Sequence, residues 1–410
     1  MSDEKTTQPP QDASGSDITE GNAPSASEGI PSGIRSLRDL IDRVTGRDLS
    51  DLSQQGDAGL AELWPFPFLA LVSQQEMKLG LLLTLINPAV GGVLLIGPRG
   101  TGKTTAVRGL VDLMPSVSVS NCYYGCLEED IEIGGLDTVC PNCAEKYGRG
   151  EPLSTIRPVR LVELPLNAGL EDVVGSVDER AAVHHRMRIR RGILSHADQN
   201  LLYIDEVNLL PDQVVDVILD AAAQGSFTVR RGPVAATYRS RFTLIGTMNP
   251  EEGDLRPQIM DRFGLRLLVK GLTEPANRLE AYNRAQAYLK NPKQLVSLWA
   301  NETILARDEI EAARKMLNEI QLPDTVAHEG LALIERFGID SLRAEITLFE
   351  AAKALAAADA RTKVLVEDIR QVAPMTLRLR RSDFIRQYFE KQAAEEEEIA
   401  AAVKKLPPKK

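Results

Sequence analysis

The segment Gly97-Pro-Arg-Gly-Thr-Gly-Lys103-Thr104 constrains this chain more than any other, because it is a full G-x-x-x-x-G-K-[ST] phosphate loop. Its glycines let backbone N–H groups curl around a phosphate with no side chain in the way. Such a loop needs a strand before it and a helix after it, whose amino-terminal dipole end faces the anion. Both are readable: Val93–Ile96 is an apolar strand, and Ala106–Leu113 carries a helical apolar pattern. Gly97, Gly100, Thr101, Gly102, Lys103, Thr104 and Thr105 are the expected nucleotide contacts. Lys103 would neutralise the β- and γ-phosphates, and the Thr104 hydroxyl would sit on Mg²⁺. The sequence therefore predicts ATP and Mg²⁺ as cofactors.

Five short apolar runs alternate with helical stretches: 92–96, 159–164, 201–204, 242–245 and 265–269. Unbroken apolar strands of this kind predict an α/β fold with a parallel sheet covered on both faces. From about residue 274 the strand signals stop and helical periodicity takes over, as in 310–320, 325–337, 343–358 and 366–373. The expected organisation is an α/β ATPase domain over 61–273 and an all-helical lid over 274–385. Before it come a Ser/Gly/Pro-rich disordered tail over 1–33 and a short amphipathic helix with linker over 34–60. A charged tail over 386–410 follows.

Leu201-Leu-Tyr-Ile204 ends in Asp205-Glu206, which alone reads as a solvated strand end. Downstream of a phosphate loop the pair acquires roles: Asp205 toward Mg²⁺ through a water, Glu206 toward the attacking water. A further strand ends in Gly246-Thr-Met-Asn249-Pro250, placing Asn249 at the sheet edge where ligands bind in such folds. Its bland reading is a turn asparagine before proline. Arg256 and Arg262 then stand just ahead of the last strand.

Taken together, the loop at 97–104, Asp205-Glu206, Asn249 and Arg262 resemble the Walker A, Walker B, sensor 1 and arginine-finger series of AAA+ ATPases. Longer stretches resemble the AAA+ motor subunit of magnesium chelatase: Phe66-Pro-Phe with Gln75-Glu-Met-Lys-Leu79, Tyr203 to Leu210, and Gly246 to Gly253. Leu255-Arg-Pro-Gln and Asp261-Arg-Phe-Gly-Leu265 complete the set, and the likeness covers roughly 65–381. It implies an AAA+ P-loop fold with a five-stranded parallel sheet and a helical lid. It also implies a ring, most often hexameric, in which Arg262 acts on a neighbour's ATP and Arg343 serves as the lid arginine called sensor 2; Arg256 is a candidate second inter-subunit arginine. The implied reaction is ATP-driven insertion of Mg²⁺ into protoporphyrin IX, towards chlorophyll or bacteriochlorophyll. Two partner subunits are implied with it, one large and porphyrin-binding, the other carrying an integrin-like domain. Ser73 departs from the family's usual glycine, and both tails look like additions. A cobalt-chelatase motor, a MoxR-like chaperone ATPase and a nucleic-acid-dependent ring ATPase share much of this pattern. The formal net charge of −10 weighs against nucleic acid.

All four cysteines fall at Cys122, Cys126, Cys140 and Cys143, spaced C-x₃-C-x₁₃-C-x₂-C. A structural Zn²⁺ in an insert at 120–150 is the favoured reading, with free or redox-active thiols and an iron–sulfur cluster as alternatives. The histidines, including the adjacent His184 and His185, suggest no site. Arginines gather at 186, 188, 190 and 191 and at 230, 231, 239 and 241, and are expected on a solvated or inter-subunit surface. The charge-free stretch Leu79 to Pro98 is long enough to span a bilayer, but Asn87-Pro88 and Gly91-Gly92 break it. It reads as a buried helix, a turn and a buried strand. With no secretory signal evident, the expectation is a cytoplasmic protein without membrane insertion.

Overall fold

The computed structural model describes residues 64–177, 189–231 and 234–381. The expectations for 1–33, 34–60 and 386–410, and for His184, His185, Arg186 and Arg188, lie outside the described residues. In chain order the first elements are α1 (Gln75–Ile86), β1 (Val93–Ile96) and α2 (Lys103–Leu110). An insert follows, with α3 (Glu128–Gly134) and α4 (Pro141–Gly148) between β2 (Val117–Ser120) and β3 (Ser154–Arg157). Next come β4 (Leu161–Leu164), α5 (Leu170–Val174), β5 (Gly175–Val177), β6 (Ile189–Arg191), α6 (Ile193–His196) and β7 (Leu201–Ile204). The α/β part continues through α7 (Asp212–Gln224), β8 (Ser226–Arg231), β9 (Val234–Arg239), β10 (Thr243–Met248), α8 (Pro257–Arg262) and β11 (Leu265–Leu268). Helices α9 (Pro275–Lys290), α10 (Pro292–Leu298), α11 (Ala300–Met316), α12 (Asp324–Arg336), α13 (Leu342–Ala358) and α14 (Val366–Leu377) complete it.

The five predicted apolar runs form one sheet in the order β11-β1-β10-β7-β4, and every pairing is parallel. Successive side chains of a strand point to opposite faces, so an all-apolar strand must be covered on both. That is what happens: Val93 and Leu95 of β1 join an apolar cluster with Leu201 and Tyr203, while Leu94 and Ile96 join a second with Leu202 and Ile204. The first cluster extends through α1 and α2 to residues of α11 to α14, so the carboxyl-terminal helices cover the same side of the sheet as α1. The second includes residues of α5, α6, α7 and α8. The 79–98 stretch is α1, a 3₁₀ turn at Pro88–Val90 and β1, and among the described residues no helix is long and apolar enough to cross a membrane.

The sequence reading did not anticipate three antiparallel pairs beside the main sheet: β2 with β3, β5 with β6, and β8 with β9. It also placed the clustered arginines at the surface, and the structure corrects this for Arg239 and Arg191. The Arg239 side chain is 10% exposed and paired with Asp130, and Arg191 is largely desolvated, with Nη2 donating to Cys122 O at 2.6 Å. Arg239 has its counter-ion across the insert's contact with β9, whereas Arg191 has a carbonyl and the Tyr123 ring as partners and its buried Nε has no hydrogen-bond partner, and no local pattern displays either arrangement. Ser73, the position noted for lacking glycine, adopts φ 56°, a region glycine occupies without steric cost.

Two buried arginines tie β11 to the last helix. Arg266, with no exposed side-chain surface, donates to Met260 O at 3.0 Å and Arg378 O at 2.8 Å, and pairs with Asp261 at 3.4 Å. Arg380 meets Asp261 at 2.7 Å and donates to Gly264 O at 3.0 Å and Thr376 O at 2.7 Å. Burial, then the neighbouring Arg380, pushes the Arg266 guanidinium down to about 10, still protonated at neutral pH. Asp261 is thus the shared anion of two buried cations. Asp261→Asn should lower unfolding free energy by about 3 kcal/mol, because it leaves buried charge uncompensated. Denaturant titration measures this, and a change within about 0.5 kcal/mol would show that the two arginines are satisfied by carbonyls alone.

Candidate active site: a phosphate loop between strand ends

Because the core strands run parallel, the carboxyl ends of β1, β7 and β10 lie at one edge. The loop from β1 to α2 meets the ends of β7 and β10 there, around a cleft of about 270 Å³. Its lining is Arg99 to Thr105 with Asp205, Glu206, Thr247 and Asn249. Gly100 and Gly102 have φ of 76° and 86°, and α2 begins at Lys103. Gly97 stands back from the cleft, where a Cβ would meet Val269 O at 2.1 Å, so close packing against the end of β11 demands glycine there. Lys103 Nζ donates to Gly97 O at 2.7 Å and Pro98 O at 2.8 Å. Burial lowers its pKa, opposed by the nearby Asp205, Glu206 and Glu252.

One hydrogen-bond network joins the strand ends. Thr247 donates to Asp205 Oδ1 at 2.6 Å and accepts from the backbone N–H of Glu206 at 2.9 Å. The Tyr203 hydroxyl lies 2.8 Å from Asp205 Oδ1 and 3.0 Å from Thr104 Oγ1. Burial raises the Tyr203 pKa, so this hydroxyl keeps its proton; the proton goes to the carboxylate, and the Thr104 hydroxyl is the donor to Tyr203 oxygen. Glu206 sits at φ 54° and ψ 61°, a left-handed conformation unusual outside glycine and typical of strained functional positions. Arg99 Nη2 is 3.4 Å from Glu206 Oε1 and also pairs with Glu252. Asn249 is almost fully buried at the cleft, and its Oδ1 accepts from Glu251 N at 3.2 Å. The asparagine is therefore both a turn residue and a cleft residue, and its NH₂ group is what it can offer a phosphate.

The remaining sequence-predicted residues do not line this cleft. Arg262 Nη1 reaches Asp220 Oδ1 at 2.7 Å and Asp216 Oδ1 at 3.7 Å on α7. Arg256 pairs with Asp212 at 2.9 Å on the same helix. Arg343, half exposed, lies 3.6 Å from Asp261. The four cysteines converge away from the cleft, with all Sγ atoms within 4.8 Å of one another. Sequence reasoning missed two cleft residues, Thr247 and Arg99, and the buried Tyr203 whose hydroxyl bonds Asp205 and Thr104. Tyr203 and Thr247 occupy ordinary strand positions that only the sheet order brings together, and Arg99 occupies a variable position of the phosphate loop.

The donor set suits a hard divalent cation beside a phosphate. Thr104 Oγ1 and the Asp205 carboxylate are oxygen ligands, both within hydrogen-bond reach of Tyr203, and the glycine-bearing turn and start of α2 supply N–H groups for anionic oxygens. Sheet order, phosphate loop and helical layer together define an AAA+ P-loop ATPase fold. Residues 170–258 match the family model for magnesium chelatase, subunit ChlI, and residues 331–402 match the AAA lid domain. The chain is 41% identical over 323 residues to the magnesium-chelatase subunit ChlI homolog of Methanocaldococcus jannaschii, covering 78% of this chain and 87% of that protein. It is 39% identical over 322 residues to the magnesium-chelatase 38 kDa subunit of Rhodobacter capsulatus, covering 77% and 88%. A solved complex of subunits BchI and BchD of magnesium chelatase contains a chain 37% identical to this one, with 80% of this chain and 99% of that chain covered and a TM-score of 0.44. The chain belongs to the magnesium-chelatase ChlI subunit family.

Tyr203→Phe removes one hydroxyl and leaves the strand packing intact. It should weaken Mg²⁺-dependent nucleotide binding by about tenfold, the loss of one hydrogen bond to a charged group, and leave binding without Mg²⁺ unchanged. Equal weakening with and without Mg²⁺ would show that Tyr203 merely packs.

Proposed function

We propose that this chain is the ATP-hydrolysing motor of a magnesium chelatase and drives Mg²⁺ insertion into protoporphyrin IX for chlorophyll or bacteriochlorophyll synthesis. The observation that carries the ATPase half is the convergence of Lys103, Thr104, Asp205, Glu206, Thr247 and Asn249 on one cleft. Family membership supports the choice of substrate. Lys103 and the N–H groups of 100–105 bind the phosphates, and Thr104 and Asp205 would hold the Mg²⁺ that arrives with ATP. When bound, that ion neutralises charge on the β- and γ-phosphates. Asn249 orients the γ-phosphate or the water beside it. Glu206, presented by its left-handed backbone, accepts a proton from the attacking water.

In this reading the cleft is one half of a site. Arg262 lies outside its own chain's cleft, on the face of α7 and α8, where it is suited to reach a neighbour's γ-phosphate in a hexameric ring. Arg343 acts from the helical lid after closure. The partners are the large porphyrin-binding subunit and the subunit with an integrin-like domain. The four cysteines hold a structural Zn²⁺ with no share in this chemistry, since none of them lines the cleft.

Combined with ATP, Mg²⁺, protoporphyrin IX and the two partner subunits, the protein should generate Mg-porphyrin fluorescence, and Lys103→Ala should abolish it. Vigorous ATP hydrolysis without insertion would remove the magnesium assignment and favour cobalt chelation or chaperone work. Glu206→Gln should retain nucleotide binding while kcat falls by about 10²–10⁴. An unchanged kcat would remove Glu206 from the mechanism.

A further inference from the structure

The cysteine insert has little else to hold it together. Its buried cluster consists of Cys126, Ile131, Val139, Cys143 and Leu153, far less than an independent core needs. Beyond that, β2 pairs with β3, and the Glu128 carboxylate accepts from Leu153 N, Ser154 N and Ser154 Oγ. The thiols are free rather than bridged. Around a tetrahedral zinc with Zn–S near 2.3 Å, sulfur atoms sit about 3.8 Å apart. Here Cys122 and Cys140 Sγ are 3.5 Å apart, and the whole set lies within 4.8 Å. Backbone N–H groups already point at the sulfurs, Tyr124 N to Cys122 Sγ at 3.3 Å and Cys140 N to Cys126 Sγ at 3.4 Å. Such N–H donors favour thiolates and orient them as ligands.

The turn that carries the first two cysteines is also the one that grips the rest of the molecule. Arg191 donates to Cys122 O at 2.6 Å, and its guanidinium carbon lies 4.4 Å from the centre of the Tyr123 ring. Tyr124 stacks on the buried Tyr238 of β9, with centroids 6.0 Å apart and planes at 19°. Arg239 of β9 pairs with Asp130 and donates to Gly125 O at 3.4 Å. From Arg239 the chain passes through Ser240–Phe242 into β10, which delivers Thr247 and Asn249 to the cleft. Arg241, in that connection, is itself tied to Asp198 and Gln199 just ahead of β7.

We propose that Cys122, Cys126, Cys140 and Cys143 bind one Zn²⁺ as thiolates, and that the metal-fixed turn is a brace that immobilises the β8–β9 hairpin through Tyr238 and Arg239. This rests on the zinc reading above and extends it: the metal orders Tyr123, Tyr124 and Gly125, these hold β9, and β9 sets the entry to β10. Loss of the metal frees the hairpin while the five-stranded sheet persists.

The test uses the full chain, with metal content by elemental analysis and amide hydrogen exchange as readouts. The purified protein should carry about one zinc per chain, and after stripping with a thiol-directed mercurial and chelator it should take up Co²⁺ with the visible bands of a tetrahedral tetrathiolate. Exchange across 226–239 should then rise about tenfold in the stripped protein, and return to its original rate with Zn²⁺, while β1 and β7 are unchanged. Arg239→Ala keeps all four cysteines, so it should keep its zinc and still show faster exchange in the hairpin. Absence of zinc, or iron in its place, together with no Co²⁺ spectrum, would overturn the zinc reading and the brace with it. Zinc bound at full occupancy, with hairpin exchange indifferent to both stripping and Arg239→Ala, would leave the metal site standing and overturn the brace alone.

Discussion

The Asp205 carboxylate, held on one oxygen by both Thr247 and Tyr203, is the contact on which the geometry of the cleft depends. It joins the ends of adjacent parallel strands and reaches the phosphate-loop threonine through the Tyr203 hydroxyl. A carboxylate so held cannot swing with its own loop, which is the kind of preorganisation that electrostatic catalysis requires. It also explains why β10 must lie between β1 and β7. In any other order Thr247 and Asn249 would be carried away from the loop they face.

Around this centre the helical layer has two attachments of different kinds. One is apolar: residues of α11 to α14 share a buried cluster with α1, α2 and one face of the sheet. The other is ionic, with Asp261 serving Arg266 and Arg380 while also lying near Arg343. Since Asp261 and Arg262 are consecutive, the anion that anchors the last helix adjoins the arginine proposed to act across a subunit boundary. A shift of the helical layer would therefore be felt at Arg262, and such coupling suits a motor whose nucleotide state must reach its neighbour.

How much of this was legible in the sequence follows from how local each signal is. The phosphate loop is contiguous, and apolar runs buried on both faces announce a parallel sheet, so the five strands and the nucleotide class were readable. Tyr203 and Thr247 were not, because in sequence they are ordinary strand residues whose meaning comes from strands adjacent in space. Arg266 sits in an otherwise apolar strand, and its partners Met260 and Asp261 on the neighbouring α8 are joined by Arg378, more than a hundred residues away at the end of the last helix. Arg191 and Arg239 looked like members of basic surface clusters for the same reason. The cysteine spacing was plain, and its convergence was expected, but nothing in the spacing indicated that the turn between Cys122 and Cys126 also grips β9.

In the function proposed above, each cleft is completed by a neighbouring chain through Arg262. The most direct test mixes two separately inactive proteins, Glu206→Gln and Arg262→Ala, and measures ATP hydrolysis. If Arg262 acts in trans, mixed assemblies contain junctions with an intact Glu206 on one side and an intact Arg262 on the other, and activity absent from either protein alone should appear. Mixed assemblies that form yet stay inactive at every ratio would contradict a trans-acting Arg262 and return it to its contacts with Asp216 and Asp220 on its own chain.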